Sequence, residues 1–418
     1  MPEFLSLIGT RYNTERVRLK DVVAPPYDVI SPAEQEELYT KDAHNVVRLI
    51  LNHDADPYKS AKEFLDRWLS EGVLVREKEP AFYVYYQRFR TPDGQEVTRT
   101  GVLGRLKLSP YSAGEVRPHE RTLAGPKKDR MHLMEAVHGN MSPIFGLIDD
   151  PIMLFDHMIE VATVHPAIAD IEERLATGES IRHLLWKLSD AETVSRLETL
   201  LKDQTLTIAD GHHRYETSLA FHKAHPEISG SGYVLTYLTN IHGEGSVILP
   251  THRALYDVVG FDQYALLDKL RAKFELVQYP TREEAYSALN SDPTAVTMIE
   301  LDDEPRYTVV RSRDNAERSA LDRLPVMRLQ QEILKPIVGL TQEQIDQKTN
   351  ILYPHTLTEL DTMREKQPIQ AAFLLRAVTP LEMVEVVKEG AFMPQKSTFF
   401  FPKLLSGLAL HEFAVQPT

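Results

Sequence analysis

The stretch Thr205-Leu206-Thr207-Ile208-Ala209-Asp210-Gly211 constrains this chain most, because an aliphatic and β-branched segment runs directly into an aspartate and a glycine. It reads as a short strand over Thr205–Ala209 that delivers Asp210 onto a tight turn before a helix beginning near Tyr215. A strand–turn–helix unit presents the N–H groups of the helix start to an anion. The residues that follow the glycine, His212, His213 and Arg214, are all nitrogen-rich. Arginine holds a phosphate or carboxylate bidentately, histidine donates to phosphate oxygen or moves a proton, and Gly211 permits close backbone approach. Asp210 suits a metal contact or the orientation of a histidine. The competing reading is a solvated turn with a structural Arg–Asp pair, and the strand–turn–helix setting favours function.

With 418 residues there is chain enough for a large core and for two or three modest domains. The sequence contains no cysteine, so disulfides, thiolate nucleophiles and Cys-ligated metal centres are excluded, and any metal relies on His, carboxylate, carbonyl or water. A formal net charge of −14 is the wrong sign for a general grip on nucleic acid or an anionic membrane, so neither is expected as a partner. The start Met1-Pro2-Glu3-Phe4-Leu5 lacks the pattern of a secretory signal, and no uncharged apolar run approaches the roughly 18 residues of a membrane span. The expected compartment is the cytoplasm.

Local signals place the other elements. Ser31-Pro32-Ala33-Glu34 is a capping box, Pro57–Gly72 carries helical periodicity, and Phe82–Phe89 turns through Pro92-Asp93-Gly94 into a hairpin. Gly101–Leu108 reads as a further strand, Asp129–His138 as a helix, and Pro151–Lys202 as mostly helical. Strands are expected at Tyr233–Thr239, Ser246–Leu249, Ala295–Leu301 and Arg306–Arg311, and helices at Asp262–Phe274 and Glu283–Leu289. Thr379-Pro380-Leu381-Glu382 repeats the capping box before a helix that stops at Gly390. The expected organisation is a main catalytic domain over residues 1–255 with a helical insertion, a small αβ unit over 256–321, and a segment 322–418 that returns to the active-site cleft.

Other clusters offer related chemistry. His119-Glu120 can supply a general base or a metal ligand, although such a pair in a loop is more often a surface feature. Lys127-Lys128-Asp129-Arg130 reads as a solvated basic helix start. Lys396, Ser397 and Thr398 with Lys403 give two ammonium groups and two hydroxyls suited to phosphate oxygens, without the glycine spacing of a P-loop. Tyr27 and Asp28, after Pro25-Pro26, are candidate substrate contacts or a rigid packed loop. His252 and Arg253 furnish a cationic edge or merely end a strand.

Six ordered motifs carry a resemblance over essentially the whole chain: APPYDVIS at 24–31, HNVVRL at 44–49, PHERT at 118–122, IADGHHRYET at 208–217, LPTHR at 249–253 and MPQKSTFFFPKLLSGL at 393–408. Together they resemble a widespread prokaryotic family catalogued as a domain of unknown function. More distantly, a His-Glu segment, a helix and a strand ending in Asp-Gly-His-His-Arg look like the ParB/sulfiredoxin-like fold in its free serine kinase branch. That resemblance implies an α+β protein whose mixed sheet has a ParB/sulfiredoxin-like core. It implies Glu120 as base, with Asp210, His212, His213 and Arg214 handling phosphate and Mg²⁺, Asp210 being the metal contact.

His119, Gly211, Lys396, Ser397, Thr398 and Lys403 complete the expected phosphate or nucleotide contacts, and Tyr27, Asp28, His252 and Arg253 the substrate contacts. The expected function is Mg²⁺-dependent phosphoryl transfer, kinase or phosphatase, on a small hydroxylated metabolite. Serine or phosphoserine is the first choice, with ATP, ADP or another phosphate donor. The alternatives are a ParB-like nucleotide-binding switch or partner-binding module without turnover, and a His/carboxylate metal hydrolase.

Overall fold

The computed structural model describes residues 3–92, 94–120, 125–175, 178–202, 204–304, 306–314, 316–347 and 349–415. Met1, Pro2, Asp93 of the hairpin turn, and Arg121 and Thr122 of the His-Glu motif lie outside them. The chain forms two units. The first comprises 1–118, 122–247 and 402–418, and the second 119–121 and 248–401. The six-stranded sheet of the second unit draws strands from both sides of the expected limits at 256 and 321, and residues 402–418 count with the first unit.

The first unit is organised by a mixed sheet of nine strands among the described residues. Leu206–Asp210 runs parallel to Val116–Pro118 on one side and antiparallel to Ile144–Ile148 on the other. Tyr233–Asn240 then joins parallel to Ile144–Ile148 and antiparallel to Glu96–Lys107. Glu96–Lys107 is one strand of twelve residues and forms the expected hairpin with Phe82–Arg90, so Gly101–Leu108 is not a separate strand. The core on this sheet includes Phe82, Val102, Ile144, Leu206, Ile208, Tyr215 and Leu238, all buried.

The expected helical insertion is only partly helical. Leu154–Glu160 and Ala191–Lys202 are helices, but Ala169–Arg174 and Ser180–Leu188 are paired antiparallel strands that extend the sheet from Phe82–Arg90. Ile181, Leu184, Leu185 and Leu188 fall at helical spacing, yet burial on both faces of a strand requires the same apolar residues. Pairing with Tyr83–Arg88 settles the conformation, a contact that short-range periodicity does not encode.

The second unit carries a six-stranded sheet whose described pairings are all antiparallel: Phe274–Tyr279, Tyr307–Ser312, Ala295–Glu300, Ala371–Leu374, Arg253–Leu255 and Ile351–Leu352, in that order. The helices Gln263–Arg271 and Arg282–Ser291 start on Asp262 and Thr281, whose side chains accept hydrogen bonds from first-turn N–H groups. Ala254, Leu289, Met298, Val309, Leu360 and Leu374 form its core. Both expected capping boxes are present, at Ser31 and Thr379. Among the described residues no helix is long and apolar enough to cross a membrane.

Candidate functional site

The strand Leu206–Asp210 loses register with its antiparallel neighbour between Ile208 and Asp210, an irregularity that re-aims the end of the strand. Gly211 then adopts φ +87°, and a Cβ there would lie 3.0 Å from Ile144 and 3.1 Å from the Arg214 guanidinium. Only glycine meets both demands without strain. The helix begins at His212 rather than near Tyr215 and runs to Ala224, so His212, His213 and Arg214 occupy its first turn. Its N-cap, Gly211, provides no side-chain hydrogen bond. Backbone N–H groups at such a start suit an anion.

Two cations converge on Asp210. Arg214 Nη2 donates to Asp210 Oδ2 at 3.2 Å, and Lys403 Nζ lies 3.7 Å from the same oxygen. Burial by itself pushes the Asp210 carboxyl up, but Lys403, Arg214, His212 and the Gly211 N–H overrule it and hold the group well below the usual carboxylate range. Asp210 is therefore ionised at neutral pH. Arg214 is buried and also donates through Nη1 to the Pro143 carbonyl. Its fork is thus partly committed to protein atoms, and it positions the turn as well as supplying charge. His212 is buried and His213 half-buried.

Lys403 reaches Asp210 because neighbouring backbone is pinned to the central hairpin. Gln87 donates to the Lys403 carbonyl at 2.9 Å, Arg99 donates to the Pro402 carbonyl, and Arg99 Nε bonds Gln87 Oε1 at 3.0 Å. Farther along, the Ser406 N–H donates to the Ala24 carbonyl at 2.8 Å and the Leu410 N–H to that of Thr10 at 2.9 Å.

Tyr27 is half-buried in the same unit, with the Arg130 guanidinium 3.9 Å from its ring centroid. Asp28 beside it is exposed. Arg130 is not solvated as its basic neighbours suggested: its side chain is 10% exposed, and it bonds Asp129 and the Ile50 carbonyl. The spacing of Arg130, Leu133, Met134 and Val137 on one helix face is the signal that places it inward. Arg99, also buried, has no comparable signal.

The second unit gathers the other candidates. His119 is buried, its Nε2 lies 2.8 Å from Thr398 Oγ1, and its carbonyl accepts from the Met393 N–H at 2.8 Å. Glu120, half-buried, is bridged to Met393 by backbone. Lys396 is exposed and held at φ +59°, a conformation non-glycine residues rarely adopt. The Ser397 hydroxyl donates to the Pro394 carbonyl at 2.6 Å and so closes its own loop. Arg253, buried, donates to the Thr251 carbonyl and, at 3.1 Å, to that of Lys396, with the Tyr353 ring 4.9 Å away. His252 is wholly buried, and its Nδ1 accepts the Leu375 N–H at 3.1 Å. Both side chains hold the scaffold of the second unit, whatever further contact they make.

The expectation of a metal at Asp210 does not fit this geometry. One of its oxygens is shared by two cations, and among the described residues no three His, Asp or Glu side chains form a group able to hold a metal ion. The surroundings suit an anion better than a resident divalent cation.

Residues 5–330 match the family described as "Protein of unknown function (DUF1015)", and the chain belongs to that family. The match ends before Lys396 and Lys403. No curated protein matches the sequence. Among solved structures, a free serine kinase in complex with AMP is similar at 13% identity and a TM-score of 0.36, with 68% of this chain and 83% of that chain covered. A conserved hypothetical protein from Pyrococcus furiosus is similar at 15% identity and a TM-score of 0.34, covering 69% and 90%. SbnI with a C-terminal truncation, from Staphylococcus aureus, is similar at 10% identity and a TM-score of 0.34, covering 73% and 85%.

Proposed function

We propose that this protein is a phosphoryl-transfer enzyme, kinase or phosphatase, acting on a small hydroxylated metabolite, with serine or phosphoserine the first candidate and a nucleotide the candidate donor. The observation that carries the reading is the convergence of Lys403 and Arg214 on ionised Asp210 at the start of a long helix. Phosphoryl transfer asks a protein chiefly for positioning and for positive charge around the transferring group. Lys403 and the half-buried His213 supply donors there, Gly211 lets backbone N–H groups approach, and Asp210 fixes Lys403 and Arg214.

A base role for Glu120 belongs to the same proposal and rests on the sequence resemblance. Phosphate contacts from His119, Lys396, Ser397 and Thr398, and substrate contacts from Asp28, His252 and Arg253, belong to it too and rest on the chemistry of those side chains. The cytoplasmic location remains part of this reading.

Phosphorus NMR of the full chain in the presence of Mg²⁺, with serine or phosphoserine and ATP, ADP or pyrophosphate, tests it. Transfer by the wild type and a loss of about a hundredfold in Lys403→Ala, at little changed melting temperature, is the expected result. No transfer under any pairing, or full activity in Lys403→Ala, overturns it. Nucleotide binding with no turnover would favour a switch instead.

A further inference from the structure

A cavity of about 40 Å³ opens in the first unit between the Tyr27 loop, the helix Gly125–Val137 and the helix that starts at His212. A water needs about 10–15 Å³ by this measure, so the cavity admits about three, the space of a carboxylate or phosphate head. Its wall includes Tyr27, Arg130 and Arg214, together with Asn140, Ser142 and Ser218.

Most of these polar groups are already bonded to protein. Ser142 Oγ pairs with Ser406 Oγ at 2.7 Å, Ser218 Oγ donates to the Arg214 carbonyl at 2.9 Å, and Asn140 Oδ1 accepts the Leu235 N–H at 3.0 Å. Tyr27 differs. Its hydroxyl has no hydrogen-bond partner among the described residues, although the side chain is half-buried; burial and the Asp28 and Asp129 carboxylates push the phenol up, against Arg214 and Arg130. The Arg130 guanidinium covers the ring face. A phenol that donates to no described residue, on the wall of a small cavity beside two arginines that are each paired with an aspartate, offers a hydrogen bond to one compact oxyanion.

We propose that this cavity binds a compact oxyanion, with Tyr27 donating its phenolic hydrogen to it and Arg130 and Arg214 supplying the charge. The oxyanion is either the carboxylate of the small acceptor or free inorganic phosphate, and only that choice of source rests on the phosphoryl-transfer reading. Arg214 would then serve two anion positions, facing Asp210 through Nη2 and the cavity along its side chain.

Calorimetric titration of the full chain with inorganic phosphate, and separately with L-serine, tests the cavity. The wild type is expected to bind at least one of them. Tyr27→Phe should weaken that ligand about tenfold, the worth of one hydrogen bond to a charged group, with no change in melting temperature. Arg130→Lys, which keeps the charge and loses the stacked fork, should weaken the same ligand. Dependence on Tyr27 for L-serine alone assigns the carboxylate, and dependence for phosphate assigns the free ion.

Binding of neither probe by the wild type, or equal affinities in wild type and Tyr27→Phe, overturns the proposal. Should phosphorus NMR show turnover that depends on Lys403 while calorimetry shows no Tyr27-dependent binding of either probe, the cavity fails and the functional reading stands. Tyr27-dependent binding without any turnover has the opposite meaning: the cavity stands and the functional reading fails.

Discussion

His212 and Arg214 in the first unit, and His252 and Arg253 in the second, are the same residue types set close together, one pair in the first turn of a helix and the other leading into a strand. Their surroundings differ in one decisive respect. Arg214 meets Asp210, and Lys403 joins the same carboxylate, so positive charge exceeds negative locally, and part of the cluster stays half-buried. Arg253 is buried on carbonyl oxygens and the Tyr353 ring, and burial pulls its guanidinium down to about 10 while driving the His252 imidazole down to about 3. A His-Arg pair in sequence is therefore not in itself an anion site. Under the proposed function, the pair whose carboxylate gathers a further cation at a helix start serves an anion, whereas the pair sealed among carbonyls holds a scaffold.

The sharpest way to break this comparison is to remove Arg253. Arg253→Ala deprives two backbone carbonyls of a charged donor and should cost about 3 kcal/mol of stability in chemical denaturation, without altering phosphate binding by the first unit. Wild-type stability combined with lost phosphate binding would turn Arg253 into a ligand contact and erase the contrast.

Acid acts on at least the same scale. His252 has a folded-state pKa of about 3 against about 6.5 unfolded, so the unfolded chain binds the proton more readily. Its contribution is complete above about pH 6.5 and is lost as the pH falls from there toward 3, at about 1.4 kcal/mol per pH unit. Protonation also requires Nδ1 to give up the Leu375 N–H. His411, in the first unit and likewise driven to about 3, acts over the same window. Asp210, whose pKa is depressed, contributes above the unfolded value of about 3.9 and is lost only below it. Denaturation curves measured from pH 7 to 4 should thus show falling stability, with a shallower slope in His252→Gln. An unchanged slope would mean that His252 is not held neutral by its surroundings.

The smallest effect concerns Lys396. For a non-glycine residue, φ +59° costs roughly 1 kcal/mol, so Lys396→Gly should raise stability by up to about that amount. A clear drop in melting temperature would show that the lysine side chain holds its loop, as Arg253 does through the Lys396 carbonyl.

Much of the local structure is legible in the sequence. The two capping boxes, the hairpin after Phe82, the strand into Asp210 and the glycine turn all follow from side chains that bond or constrain backbone a few residues away. The helix starts three residues earlier than its apolar pattern suggests, because Gly211, with its left-handed φ, serves as N-cap and the polar residues after it are already helical. Residues 169–188 depart from the helical expectation for a different reason. A strand buried on both faces and a helix can present the same apolar positions, and only the neighbouring strand distinguishes them.

The site divides along the same line. Residue types alone mark Asp210, Gly211, His212, His213 and Arg214 as a cluster, and the absence of cysteine narrows the available chemistry. That Lys403 reaches Asp210, that Arg130 turns inward onto Tyr27, and that Arg253 is sealed away were decided by tertiary packing. Turns and caps are short-range interactions written into adjacent residues, whereas burial and charge pairing depend on which distant segments fill the space around a side chain.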